Sequence, residues 1–290
     1  MKNLQQVTVI GLGLLGSSVT LAVSRGNWGV KTAGYSHRET TRKRARKLGV
    51  ADVIFDDIEE SVADADIVIL ATPISTFRII YKSIRSALKK GCIVTDVGST
   101  KVLPHQWAKQ YLPSYVSYVG SHPIAGSEQR GVDFGRDDMF DGAGCIVTKD
   151  DRTKDSAVKI MQKFWSLLGC RVSVMRVREH DRVLGLVSHL PHAAAAALLN
   201  ACRLKDLKFC GKGFMDTSRI ASGPANIWAD IFYTNPKNIC REIDVLIREL
   251  VKIKTAIRHR DKNKIEKLLE RAREKRARLM KHKVSKKEIQ

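Results

Sequence analysis

Residues 120–131, with the sequence GSHPIAGSEQRG, contain a histidine in a setting that could support chemistry. His122 lies between the β-forming run 115–119 and Pro123, and three glycines and a Glu-Gln-Arg cluster share the stretch. The ordinary pKa of histidine is about 6.5, so a neutral imidazole is available as a proton acceptor at pH 7. The stretch therefore predicts either a catalytic histidine or a histidine that only fills a turn.

A glycine-rich motif near the start of the chain is suited to phosphate binding. The β-branched run 6–10 leads directly into GLGLLG at 11–16, and a helical run follows at 17–24. In such a motif the first glycine allows a tight turn, the second admits a pyrophosphate and the third lets the helix pack close to the strand. A GxGxxG between a strand and a helix predicts a dinucleotide site. Its predicted residues are Gly11, Gly13, Leu14, Leu15 and Gly16.

The residues after the second predicted strand bear on the choice of cofactor. NAD sites usually place an acidic residue there, about twenty positions past the glycines, to bind the ribose 2′-hydroxyl. This chain has Ser36, His37 and Arg38 at that place, followed by Glu39. A small hydroxyl and two groups that can carry positive charge favour a 2′-phosphate. We predict NADP as the cofactor; if Arg38 only belongs to a solvated helix face, NAD remains possible.

The elements that position these residues alternate between strand and helix. We predict strands at 6–10, 31–36, 66–71, 92–97 and 116–119, and helices at 17–24, 39–48, 76–89 and 101–111. This alternation predicts an α/β fold with a Rossmann-like, doubly wound parallel sheet. Ligands bind at the carboxyl ends of such strands, so the rim should also include Thr72, Pro73, residues 98–100 and residues 121–122.

The second half of the chain is predicted to be helical. Strands at 144–148 and 171–176 should flank a helix at 154–168 and add to the sheet edge, and helices are expected at 180–190, 192–202, 226–233 and 236–281. We predict a dinucleotide-binding domain over 1–176 and an all-α substrate and dimerisation domain over 177–290. The last helix is apolar enough to need a partner, which indicates a homodimer; packing within one chain is the alternative.

Two further groups of polar residues lie in the predicted helical half. His189 and His192 are three positions apart, but no third ligand is placed to complete a metal site. We therefore expect no metal, and favour a structural pairing or a place in the wall of a cleft. Arg219 lies in a predicted glycine- and serine-rich loop at 211–221, and its planar guanidinium suits bidentate binding of a carboxylate.

Composition limits the remaining possibilities. The six cysteines are scattered, and no apolar run approaches the length of a membrane span, so we expect a cytoplasmic protein with reduced thiols. The formal net charge is +21, and about half of the excess lies in residues 252–290. We expect solubility and attraction of anionic substrates from this charge. A dinucleotide-sensing protein that binds nucleic acid is a remote alternative, because no aromatic residues are interleaved for stacking.

The chain resembles the prephenate/arogenate dehydrogenase family of tyrosine biosynthesis over about residues 7–230. The motifs that carry the resemblance, in the family's order, are GLGLLGSS at 11–18, ATP at 71–73, DVGSTK at 96–101, GSHPIAGSE at 120–128, EHD at 179–181, SHLPH at 188–192, SRIA at 218–221 and PANIW at 224–228. The resemblance implies oxidative decarboxylation of prephenate to 4-hydroxyphenylpyruvate, with hydride transfer to NADP or NAD. Conversion of arogenate to tyrosine is the nearest alternative, and another hydroxy-acid dehydrogenase is a more distant one.

The same resemblance implies a role for each matching residue. His122 corresponds to the catalytic histidine that accepts a hydrogen bond from the substrate's 4-hydroxyl, and Ser99 to a serine that bonds both. Arg219 corresponds to the arginine that holds a substrate carboxylate. His189 and His192 correspond to histidines on the substrate side of the cleft. The resemblance places three further residues near the cleft entrance: Glu128, Asp181 and Trp228.

Overall fold

A parallel sheet of six strands forms the first part of the protein. Its strands are β1 (Gln6–Ile10), β2 (Lys31–Tyr35), β3 (Val53–Ile54), β4 (Ile67–Leu70), β5 (Ile93–Asp96) and β6 (Ser117–Tyr118). Their order in the sheet is β3-β2-β1-β4-β5-β6. The computed structural model describes residues 4–126 and 129–285, of which 282–285 by backbone alone.

Helices connect these strands on both faces of the sheet. They are α1 (Leu14–Arg25), α2 (Glu39–Leu48), α3 (Ile58–Ala63), α4 (Phe77–Ile84) and α5 (Val102–Tyr111). The predicted doubly wound fold is confirmed. The sequence did not predict β3 and α3, since two and six residues are too short for a periodic pattern.

A second, three-stranded sheet carries the histidine motif. It consists of β7 (Gly120–Ile124), β8 (Gly144–Lys149) and β9 (Arg171–Arg176), with α6 (Asp155–Leu167) between β8 and β9. The expectation that β8 and β9 extend the edge of the parallel sheet is wrong. β7 runs antiparallel to β8, and β8 runs parallel to β9. The chain leaves the first sheet at Val119 and pairs with β8 instead, so His122 lies within a strand rather than in a turn.

After β9, the elements of the described chain are all helical. They are α7 (Val177–Leu184), a π-helical segment (Gly185–His189), α8 (Leu190–Asn200), a 3₁₀ segment (Leu204–Phe209), α9 (Lys212–Ser218), a 3₁₀ segment (Arg219–Ser222), α10 (Ala225–Thr234), α11 (Pro236–Arg258) and α12 (Lys262–Ser285). Together they confirm the predicted helical C-terminal part. The stretch at 211–221, expected to be a loop, instead contains α9 and most of the 3₁₀ segment Arg219–Ser222.

The single helix predicted over 236–281 is also wrong. Arg260 has a positive φ of 51°, which ends α11 before α12 begins. Asp261 then accepts a hydrogen bond from the backbone N–H of Lys264 through Oδ1, at 3.0 Å. This contact caps the new helix, which a pattern of apolar spacing does not reveal.

The chain separates into two compact units, Met1–Ile239 and Cys240–Gln290. The predicted domain boundary at 176/177 stays a prediction. Within the first unit, β4 is buried on both faces. Ile67 and Ile69 belong to a core cluster that includes Trp165 of α6, whereas Val68 and Leu70 belong to a cluster that includes Phe77 of α4. This two-sided burial explains why β4 reads as a continuous apolar run.

The helical run Val177–Asn200 is long and apolar enough to cross a membrane, judged by length and composition alone. The sequence-based expectation of no such run therefore needs correction. His180, Asp181 and His189 lie within this run and are buried in contacts with protein. A helix with such internal polar contacts is typical of the core of a folded site, so its length and hydropathy are weak evidence for a membrane span.

The glycine motif packs as its spacing predicts. Gly11 has a φ of 103°, a conformation that favours glycine, and its backbone lies against Ala71 and Thr72. A Cβ on Gly16 would lie 1.9 Å from the carbonyl oxygen of Gly11, so α1 can approach β1 only without a side chain there. A Cβ on Gly13 would meet no atom within 4 Å. Gly13 therefore faces open space in front of the amino terminus of α1.

These contacts predict opposite results for two similar substitutions. Gly16→Ala forces apart α1 and β1 and should destabilise the fold by about 1–3 kcal/mol, as overpacking commonly does. Gly13→Ala should leave the free energy of unfolding nearly unchanged but weaken dinucleotide binding, because its methyl group occupies the open space. Denaturant unfolding without cofactor and fluorescence titration with NADH and NADPH measure the two effects. Equal destabilisation by both substitutions would contradict this account.

Candidate active site

The amino terminus of α1 is built to receive an anion. Gly13 is the N-cap, no side chain caps the helix, and its first turn contains no acidic residue. Leu14 and Leu15 form that turn. Backbone N–H groups at a free helix terminus attract phosphate. Together with the open space at Gly13, these features fit a dinucleotide pyrophosphate.

Strand β4, which lies beside β1 in the sheet, contributes the other wall of this cleft. Thr72 lies beside Gly11, and its Oγ1 is 2.8 Å from Oγ1 of Thr76. Pro73 precedes the 3₁₀ segment Ile74–Thr76. Both residues therefore lie at the carboxyl end of β4, where a doubly wound sheet binds its ligand.

The residues after β2 lie where the sequence predicts the ribose end of the cleft. Ser36 is buried, whereas His37 and Arg38 are exposed. Arg42 donates to the carbonyl oxygen of Ser36 at 2.7 Å, and to Oδ1 of Asp56 at 2.7 Å. Arg42 is thus occupied in fixing this turn, and Arg38 makes no ion pair within the described residues.

A buried ion pair holds the turn that carries Ser99. The ammonium group of Lys101 donates to Asp96 Oδ2, and neither side chain is exposed to solvent. Gly98 N also donates to Asp96 Oδ2, at 2.9 Å, while the Tyr118 hydroxyl donates to Oδ1 at 2.8 Å. The carboxylate therefore fixes both ends of the 96–101 turn. Within the described chain the Ser99 hydroxyl has no hydrogen-bond partner, so it is available to a ligand.

His122 is buried in β7, the strand that follows β6 of the parallel sheet along the chain. Its Nδ1 lies 2.9 Å from Nε2 of His180. Burial lowers the pKa of His122 well below its ordinary value of 6.5, and the nearby His180, Lys101 and His189 lower it further. His122 is therefore neutral at pH 7, and a neutral imidazole can accept a proton.

Asp181, predicted to lie near the cleft entrance, is buried within the protein. Its carboxylate is fully buried and accepts from the backbone N–H groups of Lys101 at 2.7 Å and Val102 at 2.8 Å. It also lies 2.8 Å from Nδ1 of His180. Sequence reasoning missed His180, although it belongs to the EHD motif at 179–181. The available signal was its position next to Asp181.

His189, His192 and Trp228 form an aromatic group on the helical side. The rings of His192 and Trp228 stack with centroids 3.5 Å apart and planes at 8°. His189 Nδ1 accepts from the amide of Asn235 at 3.3 Å. His189 Nε2 and His192 Nδ1 are buried and lack hydrogen-bond partners in the described chain. Buried polar atoms of this kind indicate a place where a ligand or water completes the contacts.

Burial also affects the protonation of these two histidines. Burial lowers the pKa of His189 to about 4, and it lowers the pKa of His192 as well. Both rings are therefore neutral at pH 7. Because Nδ1 of His189 accepts from Asn235, its proton resides on Nε2, which can donate to a ligand.

Helix α10 joins this aromatic group to the rim of the sheet. Thr100 donates to the hydroxyl of Thr234 at 2.8 Å, and Ser75 N donates to Asp230 Oδ1 at 3.1 Å. These bonds connect the 96–101 turn and the start of α4 to the helix that carries Trp228. The described contacts thus place the rim and the aromatic group in one connected structure.

Arg219 and Glu128 complete the predicted set. Arg219 is exposed at the start of its 3₁₀ segment. That segment ends at Gly223, where a Cβ would lie 2.5 Å from Trp228 Nε1 and 3.1 Å from His192 Cε1. The segment therefore passes beside the aromatic group. Glu128 lies outside the described residues, and within them no cluster of histidine, cysteine, aspartate or glutamate could hold a metal.

This combination of a dinucleotide cleft and a buried neutral histidine defines a nicotinamide-dependent dehydrogenase. Known proteins agree. The family description "Prephenate dehydrogenase, nucleotide-binding domain" matches residues 19–174, and "Prephenate dehydrogenase, dimerization domain" matches residues 176–271. The chain belongs to the prephenate dehydrogenase family.

Individual relatives support the same assignment. The chain is 34% identical to cyclohexadienyl dehydrogenase of Zymomonas mobilis, over 89% of this chain and 90% of the relative. It is 33% identical to prephenate dehydrogenase of Bacillus subtilis, over 88% of this chain and 71% of the relative. The crystal structure of Aquifex aeolicus prephenate dehydrogenase with hydroxyphenyl propionate and NAD⁺ matches with a TM-score of 0.88 and 31% identity, covering 96% of this chain and 99% of the other.

Proposed function

We propose that the protein is a prephenate dehydrogenase that oxidises and decarboxylates prephenate to 4-hydroxyphenylpyruvate. The observation that carries the proposal is the buried, neutral His122, held at Nδ1 by His180. The A. aeolicus relative was solved with hydroxyphenyl propionate, which combines a phenol ring with a carboxylate on its side chain, as the proposed product does. Its likeness to this chain over nearly the full length supports the same class of ligand here.

The proposed reaction uses His122 to accept a proton. A bound nicotinamide supplies the acceptor for the hydride that leaves C4 of the ring. As that hydride leaves, the 4-hydroxyl O–H bond breaks, its proton passes to His122 Nε2, and a carbonyl forms. The bond from the ring to its carboxylate then breaks, its electron pair enters the ring, and CO₂ departs. The ring oxygen takes a proton back to give the phenol, and aromatisation drives the sequence forward.

Other residues would orient the substrate. We assign Ser99 a hydrogen bond to the same 4-hydroxyl, since its own hydroxyl is unoccupied in the described chain. The Nε2–H of His189 would donate to a substrate oxygen, and Trp228 with His192 would form an apolar wall for the ring. Arg219 would hold a carboxylate of the substrate through its guanidinium. Alignment of the reacting carbon with the nicotinamide is the main contribution that such contacts can make.

We further propose NADP as the preferred cofactor. Ser36 at the end of β2 would not repel a 2′-phosphate as an aspartate does, and His37 and Arg38 are exposed beside it. Arg42 fixes the turn rather than reaching the phosphate. The wider assembly is proposed as a cytoplasmic homodimer. Support comes from the matched dimerization domain, from six free cysteines, and from the exposed apolar side chains Ile247, Leu250, Val251 and Ile257 of α11.

A matrix of two substrates and two cofactors tests the main proposal. We expect reduced nicotinamide to form fastest with prephenate and NADP, measured by absorbance under initial-rate conditions. Faster turnover of arogenate, which carries an amino group in place of the side-chain keto group, would reassign the protein as an arogenate dehydrogenase. Absence of reduced nicotinamide with all four pairs would contradict the proposed reaction.

Replacing Arg38 tests the choice of cofactor. Arg38→Ala should raise the KM for NADP by about tenfold or more, as loss of a charge-assisted phosphate contact does, while the KM for NAD changes little. Lys47→Ala removes the same charge from the far end of α2 and serves as the control. If both variants leave the ratio of the two KM values unchanged, Arg38 does not bind the 2′-phosphate.

A further inference from the structure

Three buried side chains form a hydrogen-bonded row behind the reacting face of His122. His122 Nδ1 lies 2.9 Å from His180 Nε2, and His180 Nδ1 lies 2.8 Å from Asp181 Oδ1. His180 and Asp181 are completely buried. The row joins β7 to α7, and it ends at the backbone N–H groups that begin α5.

The order of donors and acceptors in the row follows from Asp181. Its carboxylate already accepts from Lys101 N and Val102 N, and as a carboxylate it can only accept. Nδ1 of His180 must therefore carry the proton of that bond. In a neutral His180 this leaves Nε2 as an acceptor, so Nδ1 of His122 is the donor to it. His122 then has a bare Nε2.

Burial keeps both rings neutral in the resting protein. It lowers the pKa of His180 as well as that of His122, although the hydrogen bond to Asp181 opposes the effect at His180. When each ring carries one proton, only the Nδ1–H tautomer of His122 is compatible with the hydrogen bonds of the row. In water the two tautomers of an imidazole interconvert freely, so a fixed partner is needed to keep Nε2 unprotonated.

We propose that His180 and Asp181 are positioning residues that hold His122 in the Nδ1–H tautomer and stabilise the charge it gains. This proposal rests on the proposed function of His122 as proton acceptor. When the substrate O–H bond breaks and the N–H bond at His122 Nε2 forms, the ring becomes a cation. Its Nδ1–H bond then polarises toward His180 Nε2, and the Nδ1–H bond of His180 polarises toward Asp181.

The surroundings make this charge compensation necessary. Burial disfavours a positive charge on His122, and positive charge on His180, Lys101 or His189 disfavours it further. His180 can therefore help only while it stays neutral and hydrogen-bonded to Asp181. The charge of Lys101 is itself matched by Asp96 through their ion pair. Asp181 is therefore the carboxylate linked to His122 by hydrogen bonds, with one ring in between. An aspartate that orients a catalytic histidine through its Nδ1–H is worth several orders of magnitude in hydrolases that depend on it.

The tautomer itself can be observed in the complete protein without turnover. Imidazole ¹⁵N shifts and long-range ¹H–¹⁵N couplings separate a protonated from a bare ring nitrogen. With labelled histidine, and with His122→Asn to assign the signal, we expect His122 to carry its proton on Nδ1 at pH 7. A proton on Nε2 would overturn the proposal.

Two substitutions at His180 connect the tautomer to catalysis. His180→Phe removes both hydrogen bonds and should lower kcat by about a hundredfold or more, with a mixed tautomer at His122. His180→Gln can still donate to Asp181 and accept from His122. It should retain the Nδ1–H tautomer and lose only about tenfold in kcat, since an amide cannot share the positive charge.

Two controls distinguish a loss of His122 positioning from a general loss of folding. They are the affinity for NADPH and a substitution at a second buried histidine. The dissociation constant for NADPH should stay within about threefold in both variants. His105 is also buried, but it bonds Thr148 outside the row, so His105→Gln should change neither the tautomer nor kcat appreciably. Full kcat in His180→Phe would overturn the proposal. So would equal kcat losses in His180→Phe and His180→Gln while both retain the Nδ1–H tautomer.

These outcomes remain distinct from failure of the proposed function. If the wild-type protein oxidises neither prephenate nor arogenate, the proposed reaction fails. The ¹⁵N measurement then still decides whether His180 sets the tautomer of His122. If the wild-type protein turns over and the tautomer is Nε2–H, the reaction stands and only the positioning role fails.

Discussion

The carboxylate of Asp181, buried without direct access to water, is the point on which the geometry of the site depends. A buried charge is tolerated only when its hydrogen bonds are satisfied. Here the backbone N–H groups of Lys101 and Val102 and the ring of His180 surround it. The carboxylate thereby joins the start of α5 to α7. Because Lys101 also reaches Asp96, the strand end that carries Ser99 is tied to the same network.

This network explains how strands of two sheets can present one site. β5 ends at Asp96 in the parallel sheet, whereas His122 lies in β7 of the three-stranded sheet. Ser121 N donates to Asp96 Oδ1 at 3.3 Å, and the hydroxyls of Thr95 and Ser121 are 2.9 Å apart. The side chain next to His122 is therefore bonded across the junction of the sheets. A neutral acceptor is held near the nucleotide cleft without needing a flexible loop.

Several helices and strands could be predicted well because their sequence signals are local. The bounds of β1, α2 and β9 agree with the sequence prediction, as β-branched runs and a terminating glycine mark them directly. The positive φ of Arg260 and the short strand β3 have no such signal. Pairing of β7 with β8 depends on contacts between segments far apart in sequence, so the pattern alone placed β8 and β9 on the wrong sheet.

The same division applies to the site. His122 and the glycines could be found from motif and position, whereas the partner of His122 could not, since His180 is distant in sequence. The EHD motif contains two of the three members of the row, His180 and Asp181, but the sequence prediction used only Asp181 and assigned it to the cleft entrance. Burial of Asp181 against a helix terminus is a tertiary property that the sequence does not display. In such a motif, the histidine directly before the aspartate is a candidate for the residue that links the aspartate to the catalytic histidine.

The pH dependence of kcat/KM for prephenate tests most directly whether a neutral His122 accepts the proton. Protonated His122 cannot accept, so the rate should fall at low pH. Burial lowers the pKa of His122 below 6.5, which keeps the histidine neutral from about pH 6.5 upward. Above that pH, kcat/KM should therefore not change with pH. We predict a plateau above that pH, a one-proton decline below it, and loss of that decline in His122→Asn. A rate that instead falls as the pH rises through 6.5 would show that the protonated form is active, and would contradict the account.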